Sequence, residues 1–120
     1  RNTAWEIREK LDVEAMNRAA ALLLGKHDFT SFKNQGSQDT SPVRTLTEAR
    51  WVQEGDLYTF TITGDGFLYR MVRNIVGCLV RVGTGKWDTE DFAKVLAAKN
   101  RKQAGMAAPP QGLYLVRVRY

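Results

Sequence analysis

The chain contains few of the residues that hold small domains together covalently or through metals. Cys78 is its only cysteine and His27 its only histidine among 120 residues. A single cysteine excludes an internal disulfide and fits a reducing compartment, so we expect a cytoplasmic protein. One cysteine and one histidine so far apart in sequence do not make a structural zinc site, and we expect no metal.

Long apolar runs are also missing. The longest apolar stretch, from Met71 to Val82, is interrupted by Arg73 and Arg81, and it is shorter than the roughly 20 residues that span a bilayer. The start of the chain shows no signal-peptide pattern. Because the sequence opens on Arg1 rather than on methionine, we expect it to be a piece of a longer protein.

What is present is an ordinary soluble composition with an excess of positive charge. Hydrophobic residues make up 43% of the chain and charged residues 26%, and the formal net charge is +5. This length and balance suit a single domain over residues 1–120 with one modest core. A basic domain favours anionic partners, of which nucleic acid is the most usual.

Helical and strand patterns both occur. Apolar spacing and capping residues predict three helices: Asp12 to about Leu24, Leu68 to Val82, and one that begins at Asp88 or Thr89. Alternating residues predict three strands: Val43 to Val52, Leu57 to Thr63, and Leu113 to Tyr120. The polar stretch from Lys26 to Pro42 is predicted to be a long loop.

The order of these elements predicts the fold class. It runs helix, strand, strand, helix, helix, strand, without the regular alternation of a parallel fold. We therefore predict an α+β domain, a mostly antiparallel sheet with helices packed on one face. A three-stranded sheet has two edges, and each edge must be covered or paired with something outside the chain.

The long helix carries cations among its apolar residues. Arg70, Arg73, Gly77 and Arg81 are spaced three, four and four apart, so they share one stripe. For Arg70 and Arg81, a solvated face and a functional role are equally good interpretations. Arg73 stands among the strongest core candidates with no obvious partner nearby in sequence. It is predicted to bind a carboxylate or phosphate that this chain does not supply.

The last strand divides by face. Tyr114, Val116, Val118 and Tyr120 point one way, as core residues would. The opposite face carries Leu113, Leu115, Arg117 and Arg119. Ordinary packing is the default for the two leucines, and an apolar floor for a flat base in a basic cleft is the alternative.

Three motifs together resemble one known family. They are the helix sequence from Gly66 to Gly77, the segment from His27 to Phe32, and the C-terminal pattern of Ala104-Gly105 with Ala108 to Leu115. These residues resemble the C-terminal half of the tRNA pseudouridine synthase A family. The resemblance covers essentially the whole chain but only half of the family's length.

The resemblance implies an activity and an incomplete active site. It implies isomerisation of uridine to pseudouridine in the anticodon stem-loop of tRNA, without a cofactor. The family's catalytic aspartate lies in a Gly-Arg-Thr-Asp motif that is absent here, so the chain is predicted to be inactive alone. Arg73 matches the arginine that pairs with that aspartate, and Leu113 matches the apolar residue near the target base. RNA contacts are expected from Lys33, Phe67, Tyr69, Arg70, Arg81, Arg117 and Arg119.

Two other functions stay open at this point. The chain could be a non-catalytic RNA-binding domain that reuses the fold, or a plain interaction domain that associates through its sheet edges. The expected partners are tRNA, the N-terminal half of the same protein, and a second copy in a homodimer. Because a lone half would expose a sheet edge, we also expect the chain to self-associate.

Overall fold

A computed structural model shows how the chain folds. It describes residues 11–32, 41–55, 57–67, 70–99 and 114–119, the last of these as backbone only. The helices are α1 (Val13–Ala21), α2 (Met71–Gly83) and α3 (Thr89–Ala98), and a short 3₁₀ turn covers Thr30–Phe32. The strands are β1 (Gly25–Asp28), β2 (Val43–Glu54), β3 (Leu57–Gly64) and β4 (Tyr114–Arg119).

The strands form one four-stranded sheet in the order β1-β2-β3-β4. β1 pairs antiparallel with β2, β2 pairs antiparallel with β3, and β4 lies parallel to β3. A register shift between Leu46 and Glu48 places a bulge in β2. The predicted α+β class and mostly antiparallel sheet are confirmed.

The sheet has one strand more than the sequence predicted. β1 occupies Gly25–Asp28, at the start of the stretch that was predicted to be a loop. Its four residues carry no alternating pattern, because the strand forms by pairing with the long β2 rather than by burying one face of its own. The prediction of a continuous loop from Lys26 to Pro42 is therefore wrong over its first residues.

The alternation of β3 separates its two faces. Tyr58, Phe60 and Ile62 are buried, whereas the intervening threonines are only half-buried. Helices and sheet share one core, whose largest fully buried side chains include Trp51, Phe29, Phe32, Phe60, Phe92, Met16 and Leu79. Phe29 and Phe32 are thus core residues and not platforms for stacking bases.

The helix ends follow local capping rules at two predicted places. The Asp12 side chain accepts a hydrogen bond from the Ala15 amide at 3.0 Å and so caps α1. Asp88 and Asp91 form a reciprocal capping box at the start of α3.

Two other helix boundaries differ from the prediction. α1 ends at Ala21 instead of near Leu24, because the next residues form tighter turns that lead into β1. α2 begins at Met71, three residues later than predicted, because Arg70 adopts a left-handed conformation that an α-helix cannot include.

Candidate functional site at the first turn of α2

The first turn of α2 is unusual in its backbone. Its N-cap residue, Arg70, has φ 58° and ψ 13°, and its side chain makes no capping hydrogen bond. A left-handed conformation costs a non-glycine residue about 1–2 kcal/mol. Such strain persists where the surroundings enforce it, and it concentrates at functional sites. The partial positive charge of the helix N-terminus further favours an anion at this turn.

Two arginines at this turn are partly withdrawn from solvent. Arg70 and Arg73 are both half-buried, and in both the Nε atom is buried without a hydrogen-bond acceptor among the described residues. Arg73 nevertheless interacts with another group of the chain. The predicted binding of Arg73 to an anion from outside the chain stays a prediction.

Asn74 holds this turn in place. It is buried, and its Nδ2 atom donates a hydrogen bond to the carbonyl oxygen of Phe32 at 2.6 Å. The contact joins α2 to the 3₁₀ turn at Thr30–Phe32. Sequence reasoning missed this role, although a single amide inside an apolar run was a signal for a buried polar tether.

Arg81 belongs to the opposite end of α2. It lies eleven residues after Arg70, which corresponds to about 16 Å along a helix axis. Its guanidinium stacks on the ring of Trp87, with Cζ 5.3 Å from the ring centroid. Arg81 therefore lies apart from Arg70 along the helix axis, and its expected RNA contact stays a prediction.

Phe67 lies just before the first turn of α2 and packs against the core. It is half-buried, and its Cζ atom lies 3.4 Å from where a Cβ atom on Gly64 would stand. An RNA contact from Phe67 also stays a prediction. Lys33, Tyr69 and Leu113, three other residues of the predicted site, lie outside the described residues.

The sheet face opposite the buried core residues carries a basic row. Arg117 lies opposite Thr61 in the register between β3 and β4, and Arg50 lies opposite the same threonine on β2. Directly paired positions share one face of a sheet, so Arg50, Thr61 and Arg117 form a row. Arg119 is likewise opposite Thr63. The exposed Arg50 was missed, because only the pairing of β2 with β3 places it beside Arg117.

The register also supports the predicted division of the last strand. Tyr114, Val116 and Val118 pair with the buried Tyr58, Phe60 and Ile62 of β3. Leu115 pairs with Thr59 on the opposite face, in line with Arg117 and Arg119. The backbone thus places a leucine and two arginines on one face, as the sequence predicted.

Within the described ranges, no three His, Cys, Asp or Glu side chains cluster closely enough to hold a metal ion. None of the described helices has the length and apolar character needed to cross a membrane. The segment His27-Asp28 serves local structure: Nε2 of His27 donates to the Leu24 carbonyl, and Asp28 accepts from the Thr30 amide and hydroxyl.

Comparison with known proteins identifies the class to which this arrangement belongs. The profile of the tRNA pseudouridine synthase family matches residues 19–120. The chain therefore belongs to the tRNA pseudouridine synthase family.

Individual relatives agree with this assignment. The chain is 45% identical over its whole length to a tRNA pseudouridine synthase A of Acetivibrio thermocellus and covers 49% of that protein. It is 48% identical over 98% of its length to the same enzyme of Methylacidiphilum infernorum, covering 46% of it. A Bradyrhizobium relative is 45% identical over 97% of the chain. The chain thus spans about half the length of the curated relatives it matches.

Proposed function

We propose that this chain is the C-terminal part of a cytoplasmic tRNA pseudouridine synthase that modifies uridine in the anticodon stem-loop. The observation that carries the proposal is the similarity of the whole chain to half of each tRNA pseudouridine synthase A. The partner is then the other half of the same protein, and the substrate is tRNA. The basic net charge of +5 suits a polyanionic substrate.

The reaction is an isomerisation and needs no oxidant or reductant. The bond between N1 of uracil and C1′ of ribose breaks, and a bond between C5 and C1′ forms. The hydrogen on C5 is released to solvent, and N1 takes up a proton. No cofactor is required by this balance, and the resemblance implies that an aspartate from the other half attacks the nucleotide.

In this proposal Arg73 orients that aspartate. A guanidinium offers a planar pair of donors that fits a carboxylate, and a neighbouring positive charge favours the ionised form of the carboxylate by lowering its pKa. The half-buried position of Arg73 in the first turn of α2 suits this role, because fixed surroundings limit the directions in which the pair can point.

The sheet provides the second part of the proposed site. Leu113 is proposed to pack near the target base, as its match to the family implies. Arg117 and Arg119 follow Leu113 in sequence and share one face of β4, where they would meet the RNA backbone. Lys33, Phe67, Tyr69, Arg70 and Arg81 complete the proposed set of RNA contacts.

Reconstitution of the two halves tests the proposal. Unmodified tRNA labelled with tritium at uridine C5 is incubated with the chain alone, and with the chain plus the N-terminal half of the Acetivibrio relative. We expect tritium release only from the mixture, because the aspartate comes from the added half. Robust release by the chain alone would contradict the proposed division of the site. No release from any mixture, or from a fusion of the two halves, would contradict the catalytic function.

A non-catalytic RNA-binding domain is the alternative function, and the basic row Arg50, Thr61 and Arg117 is the observation that favours it. Such a domain binds tRNA with an affinity that falls steeply with salt, because counterions are released on binding. Under this alternative, substitution of Arg73 changes the affinity for tRNA and no other property. If Arg73→Met loses turnover in the mixture of the two halves but keeps its affinity for tRNA, this alternative is wrong.

The expected self-association remains a separate proposal. β4 forms one edge of the sheet and β1 the other among the described strands, and an unpaired edge can pair with a second chain. Native mass measurement of the chain is expected to show a dimer or larger species, which the added N-terminal half reduces. A clean monomer at high concentration would count against it.

A further inference from the structure

Arg44, near the start of β2, is held in a fixed orientation. Its Nη1 atom donates to the carbonyl oxygens of Ser41 at 2.7 Å and Val43 at 2.9 Å. Both hydrogens of Nη1 are thereby used, which restrains the guanidinium plane. The Nε and Nη2 donors of the same group have no hydrogen-bond acceptor among the described residues.

The backbone approaches this guanidinium closely at Gly66. A Cβ atom on Gly66 would stand 3.4 Å from Nε of Arg44 and 3.8 Å from its Cδ atom. Gly66 precedes Arg70 by four residues, so the Cα atoms of these two residues are at most about 14 Å apart. Arg44 therefore lies beside the turn at Gly66, which precedes α2 in sequence, although it comes from a different part of the chain.

The carboxylate of Asp65, which adjoins Gly66 in sequence, accepts a hydrogen bond from the Thr45 amide and not from Arg44. Across the described ranges, no carboxylate pairs with Arg44, and its two partners are neutral carbonyl groups. The residue is half-buried, so its side chain is more ordered than that of a fully exposed arginine. A guanidinium anchored along one side, with two further donors unclaimed, suits an anion that accepts two hydrogen bonds.

We propose that Arg44 binds a phosphate of the tRNA backbone beside the turn at Gly66 that precedes α2. This inference rests on the proposed function and adds a residue that neither the motifs nor the family comparison assigned. The phosphate accepts from Nε and Nη2, while Nη1 keeps its bonds to Ser41 and Val43. A methyl group at Gly66 would lie in ordinary van der Waals contact with Nε of Arg44, one of the two donors assigned to the phosphate.

Binding of unmodified tRNA to the 120-residue chain, measured at several KCl concentrations, tests this role. Arg44→Ala is expected to weaken binding about tenfold at low salt and to reduce the slope of log Kd against log salt by about one unit. Arg44→Lys keeps the charge and loses the paired donors, so it weakens binding less and leaves the slope nearly unchanged. Arg18→Ala, which removes an exposed charge from α1, is the matched control and should change neither.

A double-mutant cycle adds a test of the contact with Gly66. Gly66→Ala is expected to weaken binding about threefold in the unaltered chain and to have no further effect in the Arg44→Ala variant. Additive effects of the two substitutions would contradict the contact. The cycle is read from Kd, and circular dichroism melting establishes that each variant is folded.

The proposal is overturned if Arg44→Ala and Arg44→Lys bind tRNA with the Kd and salt slope of the Arg18→Ala control. Arg44 would then serve only to hold the two carbonyl groups, and only the melting temperature would fall. If Arg44→Ala does not fold, the Arg44→Lys result decides. Failure of the unaltered chain to bind tRNA would also overturn it. These experiments measure only binding. Failure of the proposed catalytic function is therefore recognised separately, from the tritium-release assay.

Discussion

The two ends of helix α2 differ in how completely the chain satisfies them. At the C-terminal end, the Thr84 amide bonds to the carbonyl oxygens of Val80 and Val82, and the Gly83 carbonyl accepts from the Asp12 amide at 2.9 Å. Arg81 stacks on Trp87 nearby. At the N-terminal end, Arg70 is in a left-handed conformation, no side chain caps the helix, and two buried Nε donors lack acceptors among the described residues.

This difference is not a general property of helix ends in the chain. α3 begins with a complete capping box of Asp88 and Asp91, and α1 begins with a capping Asp12. A carboxylate cap would satisfy the first amides of α2 and neutralise the arginines beside it. The first turn of α2 instead has no side-chain cap among the described residues, and the partial positive charge of a helix N-terminus favours an anion there.

The largest effect is expected from Arg73→Met in the mixture of the chain with the N-terminal half. We expect tritium release to fall at least 100-fold, or about 2.7 kcal/mol in transition-state free energy, because the catalytic aspartate loses its orienting partner. The free energy of unfolding should change little. Arg18→Met is the control for loss of one positive charge. A fall in turnover of less than about threefold would show that this end of α2 does not serve catalysis.

The second prediction concerns the tether beside Arg73. Asn74→Ala removes the donor to the buried Phe32 carbonyl, and an unsatisfied buried acceptor costs about 1–3 kcal/mol. Urea denaturation should therefore show a loss of about 2 kcal/mol in the free energy of unfolding. Together with Arg73→Met, this variant separates a structural residue from a functional one on the same turn. Unchanged stability would mean that water replaces the amide at no cost.

The third prediction uses the strain at Arg70. Arg70→Gly removes the left-handed penalty and adds backbone entropy to the unfolded chain, so we expect a net gain of about 0.5–1 kcal/mol in stability. Affinity for tRNA should fall, because the side chain is lost. Lys99→Gly is the matched control, since Lys99 is the other described non-glycine residue with positive φ, at 51°. It should gain stability without a change in affinity. Loss of stability in Arg70→Gly would show that its side chain chiefly supports the fold.

The smallest effect is expected at the satisfied end of the helix. Arg81→Met removes the contact with Trp87, and exposed cation–π pairs contribute about 0.5–1 kcal/mol. Urea denaturation should show a loss of that size. Affinity for tRNA should fall less than in Arg70→Gly, because Trp87 already holds the Arg81 guanidinium. A larger fall than in Arg70→Gly would place the main RNA contact at this end and would weaken the contrast between the two ends.

Sequence patterns predicted much of the fold, for reasons that can be named. The caps at Asp12 and Asp88 depend on residues three positions away, and the alternation of β3 depends on every second residue. Such patterns are complete within a short segment. β1 has no such pattern, because it is held as a strand by pairing with β2, from Asp28 opposite Val43 to Gly25 opposite Leu46.

Prediction of the candidate site was less complete. Arg73 was found because a cation interrupts an apolar run, and Arg117 because it alternates with core residues. Arg44 and Arg50 carried no comparable signal, since each lies in a strand with mixed polarity. Arg44 was recognised only from its closeness to Gly66, and Arg50 only from its pairing with Thr61.

The sequence by itself determined the α+β class, the caps of α1 and α3, the two faces of β3 and the membership of a family. Only the tertiary structure decided the parallel place of β4 beside β3, the left-handed Arg70 that delays the start of α2, and the approach of Arg44 to Gly66. The physical reason is the distance along the chain between the groups that interact. Caps and alternation are set by neighbours in sequence, whereas sheet order, backbone strain and close contacts are set by groups that meet only when the chain has folded.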